Sequence, residues 1–359
     1  MRIALIGLAN SGKTTVFNAL TGSTIETAAY SSGQIEPNLA LVKVPDERLD
    51  VLTQMYTPRK TTYADVQYVD VAGISSDTPG QGLPPALLNY ISTADALLHV
   101  VRAFRAETVP HPAGTVDAAR DVATLDLELA FSDLGIIERR LTRLQAEINK
   151  MAARDRELRL AERELLERLQ AALENDTPIR NVAISEDEAR MIRGYQFLTA
   201  KPMLIVVNID EGQLNDPPPI SYSHQQSAVV ALAGQIEAEL AQLEPADAQA
   251  FMDDLGIQQP ARNRVISLSY DLLGLMSFLT AGQDEVRAWT IRRNTLAVEA
   301  AGAIHSDLQR GFIRAEVVAY ADLIRAGSMN EAKKQGTVRS EGKQYIVQDG
   351  DICHFLHNT

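Results

Sequence analysis

Eight residues near the N-terminus constrain this chain more than any other part of it. Gly7-Leu8-Ala9-Asn10-Ser11-Gly12-Lys13-Thr14 fits the pattern GxxxxGK[ST]. The pattern carries weight only between a strand and a helix, and that context is present. Arg2-Ile3-Ala4-Leu5-Ile6 is a short aliphatic run that reads as a buried parallel strand, and a helix should begin near Lys13. A glycine-bearing loop in that position turns backbone N–H groups toward an anion such as the β-phosphate of a nucleotide. Lys13 adds a point charge for the β- and γ-oxygens, and the Thr14 hydroxyl is a magnesium ligand. Asn10, Ser11, Gly12, Lys13, Thr14 and Thr15 are therefore the candidate contacts for ATP or GTP. A chance glycine turn explains the same residues poorly once the flanking elements are counted.

Similar aliphatic runs follow at Val66 to Val71, Ala96 to Val101 and Met203 to Val207. Interleaved with helical patterns, they predict an α/β fold, a doubly wound parallel sheet of the P-loop class. The long gap before the last run holds Leu134, Ile137, Leu141, Leu144, Ile148 and Met151 at heptad spacing. After Ala152 to Arg156 a second series runs through Leu158, Ala161, Leu165, Leu169 and Ala172. Two such stripes predict an inserted antiparallel coiled-coil hairpin, although any amphipathic helix pair would show them. Near residue 280 the character changes to short strands, Ala288 to Ile291, Ile313 to Val318, Tyr345 to Val347 and Ile352 to Leu356, with a helix over Ala300 to Gln309. The expected division is a nucleotide domain over 1–125 and 196–274, a hairpin over 126–195, and an α+β module over 275–359.

Composition excludes several classes. A net charge of -13 over 359 residues argues against coating nucleic acid by bulk electrostatics. Cys353 is the only cysteine, so no disulfide framework or zinc cluster is expected, and reducing cytoplasm is the natural compartment. No apolar run approaches the roughly 20 residues of a membrane span. The apolar run after Met1 leads straight into a glycine loop and does not read as a secretory signal. Neither a membrane nor sequence-specific DNA is an expected partner.

Two further clusters bear on nucleotide chemistry. Asp70-Val71-Ala72-Gly73 ends the second run, where the carboxylate can hold magnesium and the Gly73 N–H can meet the γ-phosphate. Ile74 follows, so the glutamine that orients water in many GTPases is absent. Asn208-Ile209-Asp210-Glu211 closes the last run at the edge where open α/β sheets bind ligands. Guanine-specific proteins place Asn-Lys-x-Asp there. Glu211 reaches one methylene further and Ile209 replaces the lysine, so hold on the guanine edge should weaken. A solvated acidic turn is the plainer alternative.

With these motifs the chain resembles the YchF family, the Obg-like ATPases of the P-loop GTPase class. The likeness runs through Ile35-Glu36-Pro37-Asn38, Val44-Pro45-Asp46, Arg48-Leu49-Asp50, Tyr68 to Gly73 and His99-Val100-Val101-Arg102. It continues in Asn263-Arg264-Val265-Ile266, in Thr280-Ala281-Gly282 and in Glu285-Val286-Arg287-Ala288-Trp289-Thr290-Ile291. Gly311-Phe312-Ile313-Arg314-Ala315, Glu341-Gly342-Lys343, Tyr345-Ile346-Val347 and Asp349-Gly350-Asp351 look like that family's TGS module. The resemblance implies a G domain, a helical hairpin, a β-grasp TGS domain, hydrolysis of ATP more readily than GTP with magnesium, and the ribosome, on its large subunit, as partner.

The resemblance also assigns residues. Asn10 matches an asparagine that related GTPases use to hold potassium, and simple loop geometry is the other reading. His111, in Val109-Pro110-His111-Pro112, matches a candidate water-positioning histidine; otherwise it is a surface histidine held between prolines. Gln34 stands where the family has a threonine that completes the magnesium shell; an amide oxygen can ligate magnesium, but from a longer side chain. The switch from Ile74 to Leu83 keeps Gly80 and Gly82 and has no lysine. Lys333, Lys334, Arg339 and Lys343 form a local basic set that would suit ribosomal RNA, or simply a solvated face. A hydrolase and a nucleotide-sensing module with negligible turnover both fit; a nucleotide kinase leaves Asn208, Glu211 and the C-terminal module unexplained.

Overall fold

The computed structural model describes residues 1–25, 37–71, 83, 85–151 and 156–358. Gln34, Gly73, Ile74, Gly80, Gly82 and residues 152–155 lie outside the described residues. The described residues form twelve strands: β1 (Arg2–Ile6), β2 (Asn38–Lys43), β3 (Lys60–Thr62), β4 (Asp65–Asp70), β5 (Ala96–Arg102), β6 (Met203–Asn208), β7 (Ser227–Leu232), β8 (Leu275–Ala281), β9 (Glu285–Arg292), β10 (Phe312–Ala319), β11 (Arg339–Glu341) and β12 (Asp351–His357). They form two six-stranded sheets, ordered β2-β4-β1-β5-β6-β7 and β11-β10-β12-β8-β9-β3. The chain divides into two compact units, Met1–Ala40 with Gln67–Leu272, and Leu41–Val66 with Leu273–Thr359.

In the first unit β1 pairs in parallel with β4 and β5, β5 with β6, and β6 with β7. β5 and β6 are buried along their whole length. That burial on both faces is why their sequences read as unbroken aliphatic runs rather than alternating ones. The loop after β1, Asp70 and Asn208 all sit at C-terminal strand ends, the edge where a doubly wound sheet presents its loops. β2 and β7 escaped the sequence reading: β2 exposes Leu39 and Leu41 and buries Val42, and β7 is largely half-buried.

The helix Ala118–Ile148 has 31 residues and is about 46 Å long. Asp117 caps it by accepting from the Arg120 N–H. Val122, Leu125 and Leu129 pack into the core on the sheet, whereas Ile137, Leu144 and Ile148 pack with Leu165, Leu166 and Leu169 of the helix Arg156–Glu174. Arg140 pairs with Glu162 and Glu147 with Arg159, an order that fixes the two helices as antiparallel. The expected hairpin forms, and Leu165 and Leu169 of its second stripe are in the seam, whereas Leu158, Ala161 and Ala172 are not. Leu158 is 63% exposed, and the buried face runs through Glu162, Leu165, Leu166, Leu169 and Leu173. Spacing of apolar residues alone missed this because a glutamate occupies the seam. Its carboxylate accepts from Arg140 Nε (2.8 Å) and Nη2 (2.9 Å), from Arg159 Nη1 (2.9 Å) and from the Tyr195 hydroxyl. Among the described residues no helix is long and apolar enough to cross a membrane.

In the second unit β8 and β9 form an antiparallel hairpin, while β12 lies parallel to β8 and antiparallel to β10. Ala297, Ala300 and Ala301 of the helix Ala297–Ile304 join Phe278, Ile291 and Phe355 in one core, a β-grasp arrangement. The helix expected over Ala300 to Gln309 breaks at His305, whose backbone is extended and whose Nδ1 caps the next short helix, Ser306–Arg310, by accepting from Asp307. Tyr345 to Val347 is a single bridge, Leu296 to Ile346, rather than a strand. Leu41–Val66 also belongs to this unit, although the sequence division had placed it with the nucleotide domain. β3 pairs with β9, and the Arg48 guanidinium bridges Asp46 and Asp349. A three-residue strand gives too short a pattern to declare its partner.

Candidate nucleotide-binding site

The loop after β1 is shaped by its glycines. Gly12 has φ 86°, and a Cβ there would lie 2.2 Å from Asn208 Nδ2; at Gly7 a Cβ would lie 2.4 Å from the Val100 carbonyl oxygen. Only glycine permits that conformation together with that approach. The helix Lys13–Thr21 starts here with no side-chain cap, so its first N–H groups are left for an anion. Lys13 is buried and its Nζ donates to the carbonyls of Gly7 and Leu8, both at 3.1 Å. Burial lowers its pKa to about 8, against the opposing pull of Asp70.

Thr14 Oγ1 donates to Asp70 Oδ2 at 3.0 Å. Asp70 Oδ1 is buried with no hydrogen-bond partner among the described residues. Burial raises this carboxyl group's pKa, with Thr14, Lys13 and Asn38 acting the other way. A hydroxyl bonded to a carboxylate that keeps one buried oxygen unsatisfied is a donor set that fits magnesium. Among the described residues no group of three or more His, Cys, Asp or Glu gathers that could hold a metal ion, so Thr14 and Asp70 would supply only part of the shell of such an ion.

Asn208 is 3% exposed and is a cross-link. Its Nδ2 donates to the Ser11 carbonyl at 3.1 Å and its Oδ1 accepts from the Gly234 N–H at 3.1 Å. Ile209 turns its side chain into the core and donates its N–H to Leu232, which leaves only its carbonyl to face a base. Glu211 is exposed at the start of a short 3-10 turn. Thr15 lines a cavity of about 1030 Å³ with Asn18, Ile25, Gln235, Glu239 and Phe251. Phe104 was not anticipated from sequence: its ring edge lies 3.5 Å from where a Gly12 Cβ would be, and the Arg102 guanidinium stacks on it at 4.5 Å. An aromatic residue just beyond a strand end gives no periodic signal.

The residues from Phe104 to Asp117 carry His111. Arg102 Nη2 donates to the carbonyls of Ala106 and Val109, and Asn10 Nδ2 donates to the Pro110 carbonyl at 3.0 Å. Asn10, with φ 62°, thus ties the phosphate loop to the histidine loop. His111 Nε2 lies 2.8 Å from Asp121 Oδ2, and its Nδ1 accepts from the Ala113 N–H at 3.1 Å. The basic set of the second unit is largely paired: Lys333 with Glu316, Lys334 with Glu331, Arg339 with Glu341 and Asp351. Lys343 has no ion pair among the described residues.

A parallel sheet with a glycine phosphate loop, a buried lysine and a strand-end aspartate facing Thr14 defines a P-loop nucleoside triphosphatase. A family model described as "50S ribosome-binding GTPase" matches residues 2–158, and one described as "Protein of unknown function (DUF933)", for the C-terminal part of YchF GTPases, matches residues 275–358. The "Ribosome-binding ATPase YchF" of Bacillus subtilis is 41% identical, covering 99% of this chain and 98% of that protein. Its namesake from Haemophilus ducreyi is 42% identical, with 100% and 99% covered. The solved YchF GTPase of Schizosaccharomyces pombe superposes with a TM-score of 0.82 at 29% identity, covering 99% of this chain and 97% of that one. The chain belongs to the YchF family.

Proposed function

We propose that this chain is a magnesium-dependent nucleoside triphosphatase that takes ATP, and GTP less readily, and that it works in the cytoplasm on the large subunit of the ribosome. The observation that carries the catalytic part is the set Lys13, Thr14 and Asp70 at the ends of β1 and β4. Lys13 exchanges the carbonyls of Gly7 and Leu8 for phosphate oxygens and thereby recovers charge compensation for a buried ammonium. The free N–H groups at the start of the helix Lys13–Thr21 hold the β-phosphate. Magnesium, when bound, neutralises charge on the β- and γ-oxygens; Thr14 and Asp70 would hold it. Gly73, Gln34 and potassium at Asn10 remain part of the same proposal. The base is read by loops that Asn208 fixes, with Glu211 the only acidic side chain of its motif left open to solvent.

The ribosome assignment rests on the relatives, which are named ribosome-binding ATPases, and on a family description that names the 50S particle. Equilibrium titration with labelled ATP and GTP, with and without magnesium, tests the nucleotide part. Affinity that ignores magnesium and Lys13 would sink it. One observation favours the nucleotide-sensing alternative: both ring nitrogens of His111 are engaged, so a nucleotide could bind with little turnover.

A further inference from the structure

We propose that Asp121 is a positioning residue that holds His111 in a parked state, and that hydrolysis requires the His111–Asp121 pair to open. The proposal rests on the reading of His111 as the water-positioning residue, and it goes further by assigning the group that restrains it. The Ala113 N–H donates to Nδ1, so that nitrogen carries the lone pair and the ring proton is on Nε2, directed at Asp121 Oδ2. Neither nitrogen is left for water. The two side chains are each 4% exposed, which excludes solvent from the contact.

Asp121 is itself held. Its Oδ1 accepts from Arg120 Nε at 3.1 Å and Nη2 at 2.9 Å, and the same guanidinium donates to the Thr115 hydroxyl and carbonyl. The carboxylate is therefore fixed on the first turn of the helix Ala118–Ile148 and presents a defined acceptor to the loop. At the other side of the loop Asn10 holds the Pro110 carbonyl, one residue before His111. The histidine is clamped between the phosphate loop and the long helix. Because Asn10 binds Pro110 through Nδ2, its Oδ1 is not used in this bond, and a cation on Oδ1 would strengthen the Nδ2 bond by polarising the amide. Of the two ring contacts, the one to Ala113 is a local turn bond between neutral groups. The bond to Asp121 is charge-assisted and roughly twice as strong. Asp121 thus sets the barrier to release.

The test uses the full chain and two readouts. Asp121→Asn keeps an acceptor and removes the charge, so single-turnover hydrolysis of ATP should rise, on the order of tenfold, and Asp121→Ala should raise it at least as much. In a His111→Ala background neither substitution should change the rate. In nitrogen-edited NMR of the wild type, the His111 Nε2–H should give a protected downfield proton signal. That signal should be lost in Asp121→Ala and on saturation with magnesium and a non-hydrolysable ATP analogue. A lower rate in Asp121→Asn with an intact His111 dependence would show an orienting base partner instead of a restraint, and would overturn the proposal. So would an Nε2–H signal that persists unchanged in the nucleotide complex. If His111→Ala hydrolyses at the wild-type rate, the role of His111 in hydrolysis fails, and the restraint is decided by the NMR signal alone.

Discussion

Replacing Asn208 by alanine tests whether this residue reads the base or holds the site together. Its amide is buried and bridges the Ser11 carbonyl and the Gly234 N–H, each at 3.1 Å. Truncation leaves two buried backbone groups without partners, at about 1 to 3 kcal/mol each. Water entering the vacated space recovers part of that, so a loss of about 2 to 4 kcal/mol in folding stability is expected. Asn208→Asp should be nearly as damaging. It keeps the acceptor for Gly234 and sets a carboxylate oxygen against the Ser11 carbonyl. The assay is thermal and urea unfolding of the nucleotide-free protein, followed separately by ATP titration well below the transition. Both should change. A variant with wild-type unfolding and a loss confined to nucleotide affinity would refute the cross-link reasoning and return Asn208 to direct base contact.

Substitutions at three other places have equally definite outcomes. Lys13→Ala should weaken ATP binding by about 2 to 3 kcal/mol. In the wild type the Lys13 pKa of about 8 against an ordinary 10.5 means that the unfolded chain holds more protons between those values, so stability should rise with pH across that window. ATP affinity should fall there, about tenfold per pH unit, because the bound state needs the proton; a pH series on wild type and Lys13→Ala checks both, and an identical profile in the two proteins would contradict the assignment. Glu211→Asp alone should shift preference toward GTP in competition titrations. Adding Ile209→Lys should instead unfold the unit, since it buries an ammonium in the core at a cost of several kcal/mol. In cosedimentation with purified ribosomes across a salt series, Lys343→Ala should flatten the slope by about one unit. Lys333→Ala should change it less because Glu316 already neutralises that charge; equal slopes for both variants and wild type, or no pelleting at low salt, would count against RNA contact through this face.

The parts of the fold that were legible in sequence are those in which one residue property repeats without interruption. β1, β5 and β6 are buried on both faces, so they announce themselves as aliphatic runs, and the phosphate loop follows from fixed glycine positions. β2 and β3 did not, because one alternates and the other is too short. In the hairpin's second stripe Leu165 and Leu169 were legible, and Glu162 was not, because it behaves as a core residue only when Arg140, Arg159 and Tyr195 surround it. At the site, Thr14 bonds to Asp70 with Lys13 close by, while the cross-link made by Asn208 and the inward turn of Ile209 left no mark in the sequence. Which side of a strand end a side chain faces depends on the neighbouring loop, and for Asn208 that neighbour is 197 residues away in sequence. The pairing of His111 with Asp121 was equally invisible, since nothing in a lone aspartate on a helix marks its partner.

The helix Ala118–Ile148 has a mechanical consequence. Its first turn carries Asp121, its middle carries Asp133, which accepts from the Leu198 and Thr199 N–H groups in the turn that precedes β6, and its last turns form half of the hairpin. One uninterrupted rod therefore links the histidine loop, a pivot near its midpoint and the hairpin at its far end. From Asp133 to the last turn is about 22 Å, so a tilt of only 5° about that pivot moves the far end by about 2 Å. A rearrangement small enough to exchange one hydrogen bond beside the phosphates is, at the hairpin, a displacement on the scale of a side chain.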